Sequence, residues 1–315
     1  MVTLIAKRLW AGAIALLILL TAIFFATSLL PGDLAEIVLG RDASAEALQN
    51  FRHGLGLDQP LYIQYWHWLR GIFRGDLGHS LASGMAISDM LFERLGNTLF
   101  LALYAAVIAV PLALVLGILT ALYRDTFFDR VLNAGTLVSI SFPDFFVAYV
   151  LILLLTITFP IFPSIASLLP GASFSERLYV TFLPAVTLSL FVMAHMMRMT
   201  RAAIIDLLSR PYIEMADLKG LRKLRIIVRH ALPNAWAPIV NVIAFNLAYL
   251  VLGVVVVEVV FAYPGLGGLL VDSVARRDIP VVQAACLFFA CTYLLINLIA
   301  DILAMLSNPR LRHPR

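Results

Sequence analysis

Six long apolar runs, separated by shorter polar stretches, set the pattern of this 315-residue sequence. Each run is close to the roughly 20 residues that a helix needs to cross a hydrocarbon core about 30 Å thick. Apolar and polar residues do not alternate within the runs, as they would in the strands of a membrane β-barrel. The pattern therefore predicts an all-α membrane protein with six transmembrane helices. The runs lie approximately at 9–30, 98–123, 131–159, 179–197, 235–257 and 281–300, and Pro143, Asp144 and Pro184 interrupt the third and fourth.

The composition excludes several other classes of protein. The chain is 62% hydrophobic and 13% charged, whereas an ordinary soluble domain is about half apolar and about a quarter charged. Its net charge of +4 comes from too few charged residues to suggest nucleic-acid binding. Cys286 and Cys291 share one apolar run and fall on different faces of a helix, so they indicate neither a disulfide framework nor a metal pair.

The basic residues predict how the chain is oriented. Lys7 and Arg8 precede the first run, as in a signal peptide, but the run exceeds the usual apolar core of about 7–15 residues, so we expect a retained helix within 1–30. Most of the 23 lysines and arginines lie in the amino end, 124–130, 198–229 and the carboxyl tail. Loops rich in these residues stay in the cytoplasm, and the segment 31–97 is long enough to escape this rule. Both termini are therefore expected to be cytoplasmic.

The external segment 31–97 is polar but contains aromatic residues that favour a folded structure at the membrane surface. Ser44 is placed to cap a short helix that begins after it. A second helix is predicted from Leu61, Tyr65, Trp68 and Leu69, whose spacing puts them on one face. This segment is either an aromatic belt at the interface or a docking platform for an external partner, and the two functions are compatible.

The cytoplasmic segment 198–233 is basic and amphipathic, and it is longer than an ordinary connection between helices. Pro211 is expected to begin a new helix and Gly220 to end it, with Leu221 restarting the chain towards the next span. A short helix presented in this way is suited to a groove of another protein.

This segment resembles the EAA motif of the permease subunits of bacterial ABC importers. Glu214, Ala216 and Gly220 stand at the motif's Glu, second Ala and Gly positions, Met215 replaces its first Ala, and 232–233 supply its closing Leu-Pro. Further short matches extend along most of the chain to the dipeptide/oligopeptide/nickel group, in particular its B-type subunit. They lie at 29–33, 55–60, 75–78, 183–185, 229–232, 261–267 and 308–309.

The resemblance implies a type I ABC importer permease fold in the bacterial inner membrane. It implies a first helix within 1–30, a periplasmic segment 31–97, a permease core 98–306 and a cytoplasmic tail 307–315. The expected partners are a second permease, two ATPases, a periplasmic or lipid-anchored substrate-binding protein and membrane lipid. The residues expected to couple the chain to its ATPases are Tyr212, Glu214, Ala216, Asp217, Gly220, Leu232 and Pro233.

Catalysis is not expected on this chain. It has no Gly-Lys dipeptide and therefore no phosphate-binding loop of the G-x-x-x-x-G-K-[ST] type. ATP and Mg are accordingly expected on the partner subunits, with no cofactor on this chain. His195 lies among methionines, but neighbouring positions on a helix point in different directions, so no metal site is predicted.

Charged residues in or near the spans are the remaining candidates. Asp144 and His195 are candidates for the translocation path; for Asp144, a preference for a cationic group on the substrate, an aqueous cavity and a bond to a neighbouring helix all stay open. Glu258 and Asp301 are expected to reach the interface from helix ends. Candidates for the periplasmic gate or the receptor-facing surface are Asp272, Arg276, Arg277 and Asp278.

Two other functions fit a polytopic membrane protein. An ion-coupled secondary transporter would need ion sites near the midplane and often carries inverted repeats, and no repeat is evident here. An intramembrane enzyme would need a catalytic constellation, and neither H-E-x-x-H nor G-x-S-x-G occurs. The sequence therefore favours a permease subunit that imports peptides or similar small solutes.

Overall fold

The structure is a computed structural model that describes residues 2–29, 34–40, 43–167, 171–226, 229 and 232–307. Most of this part of the chain is helical. Its helices are α1 (Val2–Ser28), α2 (Leu34–Leu39), α3 (Ala45–Leu55), α4 (Leu61–Arg74), α5 (Ile87–Leu122), α6 (Phe127–Ser141), α7 (Asp144–Ile152), α8 (Phe174–Val180), α9 (Phe182–Leu208), α10 (Pro211–Leu218), α11 (Lys223–Ile226), α12 (Leu232–Val260), α13 (Leu266–Ala275) and α14 (Ile279–Ser307).

Five of the described helices, α1, α5, α9, α12 and α14, are long and apolar enough to cross a membrane. The bent pair of α6 and α7, with α7 continued by a π-helical stretch at Leu153–Thr158, is a sixth candidate when it is counted as one span. The prediction of an all-α membrane protein is confirmed.

The third predicted span is interrupted at Pro143, where the sequence indicates a break. Its two halves meet at an angle of 103°. Phe142, the residue before Pro143, has an extended backbone with ψ 137°, because the proline ring disfavours the α conformation in the residue that precedes it. The predicted interruption at Pro143 and Asp144 is thus confirmed as a sharp bend, and Asp144 begins the second half.

The core of the bundle forms where α5 packs along α9. The face of α5 that meets α9 carries small residues at Ala105, Ala109, Ala113 and Gly117, four residues apart. A Cβ on Gly117 would lie 2.8 Å from the Cβ of Thr200 and 2.9 Å from the backbone oxygen of Met197. The two backbones therefore approach closely, as small residues allow between membrane helices.

The bundle has two ends, named here after the short helices they carry: the α4 end, with α4, α8 and α13, and the α10 end, with α10 and α11. At the α4 end, Leu69 of α4 packs with Leu20 of α1 and Leu287 of α14, and Tyr65 and Trp68 lie beside them. The predicted helix is confirmed, although Leu61 of the expected buried face is exposed. The predicted cap is also confirmed, because the Ser44 hydroxyl accepts a hydrogen bond from the Ala47 amide at 3.2 Å.

Candidate functional site

The helix α10 begins and ends as the sequence predicts. Pro211 is its first residue, where its fixed φ suits the helix and its missing N–H leaves no donor unsatisfied. Beyond its last turn, Gly220 has φ +72°, a left-handed conformation that favours glycine. The Leu221 amide then donates to the backbone oxygen of Ala216 at 3.4 Å. The chain thus leaves α10 through a tight turn.

One side of α10 is anchored by packing against the rest of the chain, and the other side is exposed. Ile213 and Ala216 are buried and form a small cluster with Ile226 of α11. Tyr212, Met215 and Leu218 are exposed, with Leu218 at 78%, and Glu214 and Lys219 are exposed as well. The result is a short helix that presents apolar side chains with charges beside them, as a helix docked in a groove does.

A bidentate ion pair joins α9 to α6 near the α10 end. Arg201 of α9 donates from Nε and Nη2 to the two carboxylate oxygens of Asp129 in α6, at 2.8 and 2.7 Å. Asp129 is buried at 3% exposure, and it also accepts from the Asp125 amide at 3.0 Å and from Asn133 Nδ2 at 2.6 Å. These donors compensate for the cost of burying the charge of Asp129. Without Arg201, that cost would not be compensated.

At the α4 end, Glu258 of α12 holds the beginning of α13. Its carboxylate accepts from Thr98 Oγ1 of α5 at 2.6 Å and from the Gly267 and Gly268 amides at 2.6 and 3.1 Å. Glu258 is fully buried, so the expectation that it reaches the interface was wrong. The physical reason is that the chain turns back after α12 and places the free amide groups of α13 over the carboxylate. We call Glu258, Thr98 and these two glycines the α13 latch.

A second set of contacts lies beside the α13 latch. Asn97 donates to the Pro264 backbone oxygen at 2.8 Å and accepts from Arg177 Nη2 of α8 at 2.9 Å. The Tyr263 hydroxyl donates to the Asn97 backbone oxygen at 2.9 Å. Burial raises the pKa of Tyr263 to about 12, which keeps this hydroxyl protonated as a donor. These bonds connect α5, α8 and the turn before α13.

Comparison with known proteins indicates the family of this chain. Residues 113–313 match the family described as binding-protein-dependent transport system inner membrane component, and residues 1–102 match the N-terminal component of such systems. The chain belongs to this family. It is 37% identical over 313 residues to the glutathione transport system permease protein GsiC of Escherichia coli strain K12, and 36% identical to that of Salmonella typhi; both alignments cover 99% of this chain and all of the relative.

A binding-protein-dependent transport component of this kind is the permease subunit of an ABC importer, so the predictions of family, fold and function are confirmed. The chain is a multi-pass inner-membrane protein. It is not an enzyme, because ATP hydrolysis in such systems takes place on a separate subunit. The motif at 261–267, one of the short matches in the sequence, is the turn that enters the α13 latch.

The structure brings together only some of the predicted coupling residues of this permease. Tyr212, Glu214 and Ala216 lie on α10, with Ala216 on its anchored side, and Gly220 forms the turn after it. The backbones of Asp217, Leu232 and Pro233 belong to α10 and α12, and their side chains lie outside the described residues.

The predicted path residues lie on one side of the α9–α12 contact. Asp144 is half-buried at the start of α7, close to Gly253 of α12. His195 of α9 is half-buried, with its ring 5.1 Å from that of Phe191. Among the residues that the structure describes, no three His, Cys, Asp or Glu side chains are grouped to hold a metal ion.

The four predicted gate residues are not equivalent. Asp272 and Arg276 are exposed on or beside α13, and Arg277 is exposed with φ +55°. Asp278 is buried, and its carboxylate accepts from the Ser80 hydroxyl at 2.5 Å and from the Leu81 amide at 3.1 Å. It therefore fastens the loop before α5 to the start of α14 and is not presented to a receptor.

Sequence reasoning missed both the Arg201–Asp129 pair and the α13 latch. In the sequence, Arg201 is one of several basic residues in 198–229, and no pattern connects it to an acid 72 residues earlier. A signal for the latch was present in the glycines that follow Glu258, since repeated glycines indicate a close backbone approach. A Cβ on Gly265 would lie 2.0 Å from Glu258 Oε1, which shows how tightly the turn wraps the carboxylate.

Proposed function

We propose that this permease pairs with a second, similar permease to form the import path for glutathione or short peptides. A periplasmic binding protein delivers the cargo, and two ATPase subunits, which hold ATP and Mg, drive the cycle. The observation that carries the proposal is α10, anchored by Ile213 and Ala216 and presenting Tyr212, Met215 and Leu218 outward. Its exposed apolar side suits the groove of an ATPase subunit.

The proposed orientation puts the α10 end in the cytoplasm. The segment 198–229, which contains α10, is the most basic stretch of the chain, and such stretches are retained on the cytoplasmic side. Both termini are then cytoplasmic, 31–97 is periplasmic, 98–306 is the permease core and 307–315 is the tail. The exposed residues Asp272, Arg276 and Arg277 lie at the periplasmic end, where the binding protein docks.

The cargo class is supported by the relatives. Both are named glutathione transport system permease proteins and match this chain over their whole length. Glutathione is a short peptide, which agrees with the peptide group suggested by the sequence motifs. The binding protein selects much of the cargo.

Movement passes through α9 in the proposed mechanism. Closure of the ATPases displaces α10, whose anchored side transmits the displacement to the end of α9. As a continuous helix of 27 residues, α9 extends about 40 Å, and the Arg201–Asp129 pair makes α6 move with it. The α13 latch keeps α5, α12 and α13 together, so the path opens and closes by rigid-body motion of packed helices.

Reconstitution of the complete transporter tests this function. The chain would be placed in proteoliposomes with a second permease, two ATPases and the binding protein from the same genome, and the uptake of labelled glutathione and alanyl-alanine measured. We expect uptake that requires ATP and the binding protein. Uptake driven by an ion gradient without ATP would contradict the proposal and favour a secondary transporter.

A further inference from the structure

Asp144 lies at the junction of three helices, and its carboxylate is close to a glycine. It is the first residue of α7, directly after the break in the third span. A Cβ on Gly253 of α12 would lie 4.0 Å from Asp144 Oδ2 and 3.6 Å from Leu188 Cδ1 of α9. The missing side chain at Gly253 therefore leaves the carboxylate uncovered on this side.

This carboxylate lies well inside the membrane-spanning region. Leu188 follows the start of α9 by six residues, and Gly253 precedes the end of α12 by seven. At about 1.5 Å per residue, Asp144 is roughly 10 Å from the α4 end of both helices. On insertion scales a carboxylate costs up to about 3 kcal/mol, the full value applying at the centre of a transmembrane helix. Something must offset a cost of this size.

The described part of this chain does not supply the compensation. No residue in it donates a hydrogen bond to the Asp144 carboxylate or forms an ion pair with it. The N-terminus of α7 stabilises a negative charge in its first turn, but by only about 0.3–1 kcal/mol, or about 2 kcal/mol at best. Asp144 is therefore directed towards water or towards a cation outside the described part of this chain.

Aromatic rings continue from this site along the contact between α9 and α12. Tyr249 lies one turn from Gly253 on α12, and Phe191 lies one turn from Leu188 on α9; their rings stack with centroids 5.3 Å apart. His195 follows Phe191 one turn nearer the α10 end. A carboxylate one helical turn from aromatic rings, of which Tyr249 is 41% exposed, is a chemical environment that suits a positively charged nitrogen.

We propose that Asp144 is a cation-binding site of the translocation path, which takes the ammonium group of the cargo, such as the free amino terminus of a peptide. The identity of the cargo at this site rests on the proposed function. The preference of the site for cations is a property of the permease alone. A basic residue of the second permease is the other cation that could meet this carboxylate, and the experiments separate the two.

Charged thiol reagents measure that preference without any cargo. Gly253→Cys would be introduced in the complete complex, with Cys286 and Cys291 replaced by alanine, in membrane vesicles. Cationic 2-(trimethylammonium)ethyl methanethiosulfonate and anionic 2-sulfonatoethyl methanethiosulfonate would then be compared, each rate being divided by that for free cysteine. A carboxylate about 4 Å away attracts the cationic reagent and repels the anionic one. We therefore expect the ratio of the cationic to the anionic rate to be at least about tenfold. Asp144→Asn should reduce it to near one.

Three results would overturn the proposed cation site. Absence of reaction with either reagent would place Gly253 against lipid or protein instead of water. An unchanged ratio after Asp144→Asn would show that another charge sets the preference. Loss of the second permease on purification of the Asp144→Asn complex would assign the carboxylate to an intersubunit ion pair.

An uptake measurement connects the site to transport. Asp144→Asn should lower glutathione uptake about tenfold while the binding protein still stimulates ATP hydrolysis, and Asp144→Glu should restore most of the uptake. Equal uptake by the native and Asp144→Asn complexes would refute the cargo site and leave the proposed function standing. If the native complex takes up no peptide, the proposed function fails, and the labelling ratio still decides whether the site prefers cations.

Discussion

The Thr98 hydroxyl and the Glu258 carboxylate are joined by a hydrogen bond of 2.6 Å between α5 and α12. The same hydroxyl accepts from the Leu266 amide at 2.7 Å, which adds the start of α13. Two side chains thus hold three helices at the α4 end. Because Glu258 is fully buried, every donor that faces it depends on it for a partner.

Replacing Glu258 should destabilise the permease. Glu258→Ala leaves the Thr98 hydroxyl and the Gly267 and Gly268 amides without their acceptor, and a buried unsatisfied donor costs about 1–3 kcal/mol. We expect a lower melting temperature of the purified complex in detergent. Asp272→Ala, an exposed acid on the same helix as Gly267, is the control and should stay within about 0.5 kcal/mol of the native protein. Equal melting temperatures for both variants would contradict the latch.

Gly265, which precedes the α13 latch, and Gly268, which belongs to it, should differ in their tolerance of alanine. Gly265→Ala puts a Cβ 2.0 Å from Glu258 Oε1, whereas in Gly268→Ala the nearest atom is the Tyr263 backbone oxygen at 3.4 Å. We expect Gly265→Ala to reduce stability strongly and Gly268→Ala to have little effect. Combining Gly265→Ala with Glu258→Ala removes the clash, so the two losses should not add. Additive losses would mean that the contact is not the cause.

The Arg201–Asp129 pair should contribute much more to stability than a comparable pair at the surface. Arg201→Met leaves the buried carboxylate of Asp129 without its charge partner, which costs about 3–5 kcal/mol. Arg210→Met removes the exposed pair with Asp206, 3.0 Å apart, and should change stability by less than about 1 kcal/mol. Thermal unfolding of the two variants in the same detergent makes the comparison. A loss of similar size in both would show that Asp129 is hydrated.

Substitutions at α10 should separate ATP hydrolysis from transport. Gly220→Pro cannot adopt φ +72°, because proline fixes φ near −65°, and Glu214→Lys reverses an exposed charge on the proposed docking side. We expect the subunit to insert and the complex to hydrolyse ATP, with uptake reduced about tenfold or more. Gly220→Ala, which meets only the strain of about 1–2 kcal/mol, should be intermediate. Normal uptake in both Gly220→Pro and Glu214→Lys would refute the assignment of α10.

The sequence predicts local features of this fold well. The cap at Ser44, the start of α10 at Pro211 and its end at Gly220 all follow from the backbone preferences of single residues, and each is confirmed. The apolar runs likewise locate the spans, because the requirement for about 20 apolar residues is local.

The features that sequence reasoning missed depend on contacts between distant segments. Glu258 reads as a charge at a helix end, and only the return of α13 buries it. Asp278 and Ser80 are 198 residues apart, so their hydrogen bond leaves no periodic signal. The bend after Ser141 was indicated by Pro143, but a proline alone does not determine an angle of 103°.

Photocrosslinking from α10 tests the central claim most directly, namely that this helix docks on a separate ATPase subunit. A photoreactive amino acid would replace Met215 or, as a matched control, Met85 at the α4 end, since both side chains are 56% exposed. In membranes that contain the assembled transporter, we expect an adduct with the ATPase from position 215 and none from position 85. The absence of an ATPase adduct at position 215, in a complex that still imports its cargo, would contradict this claim.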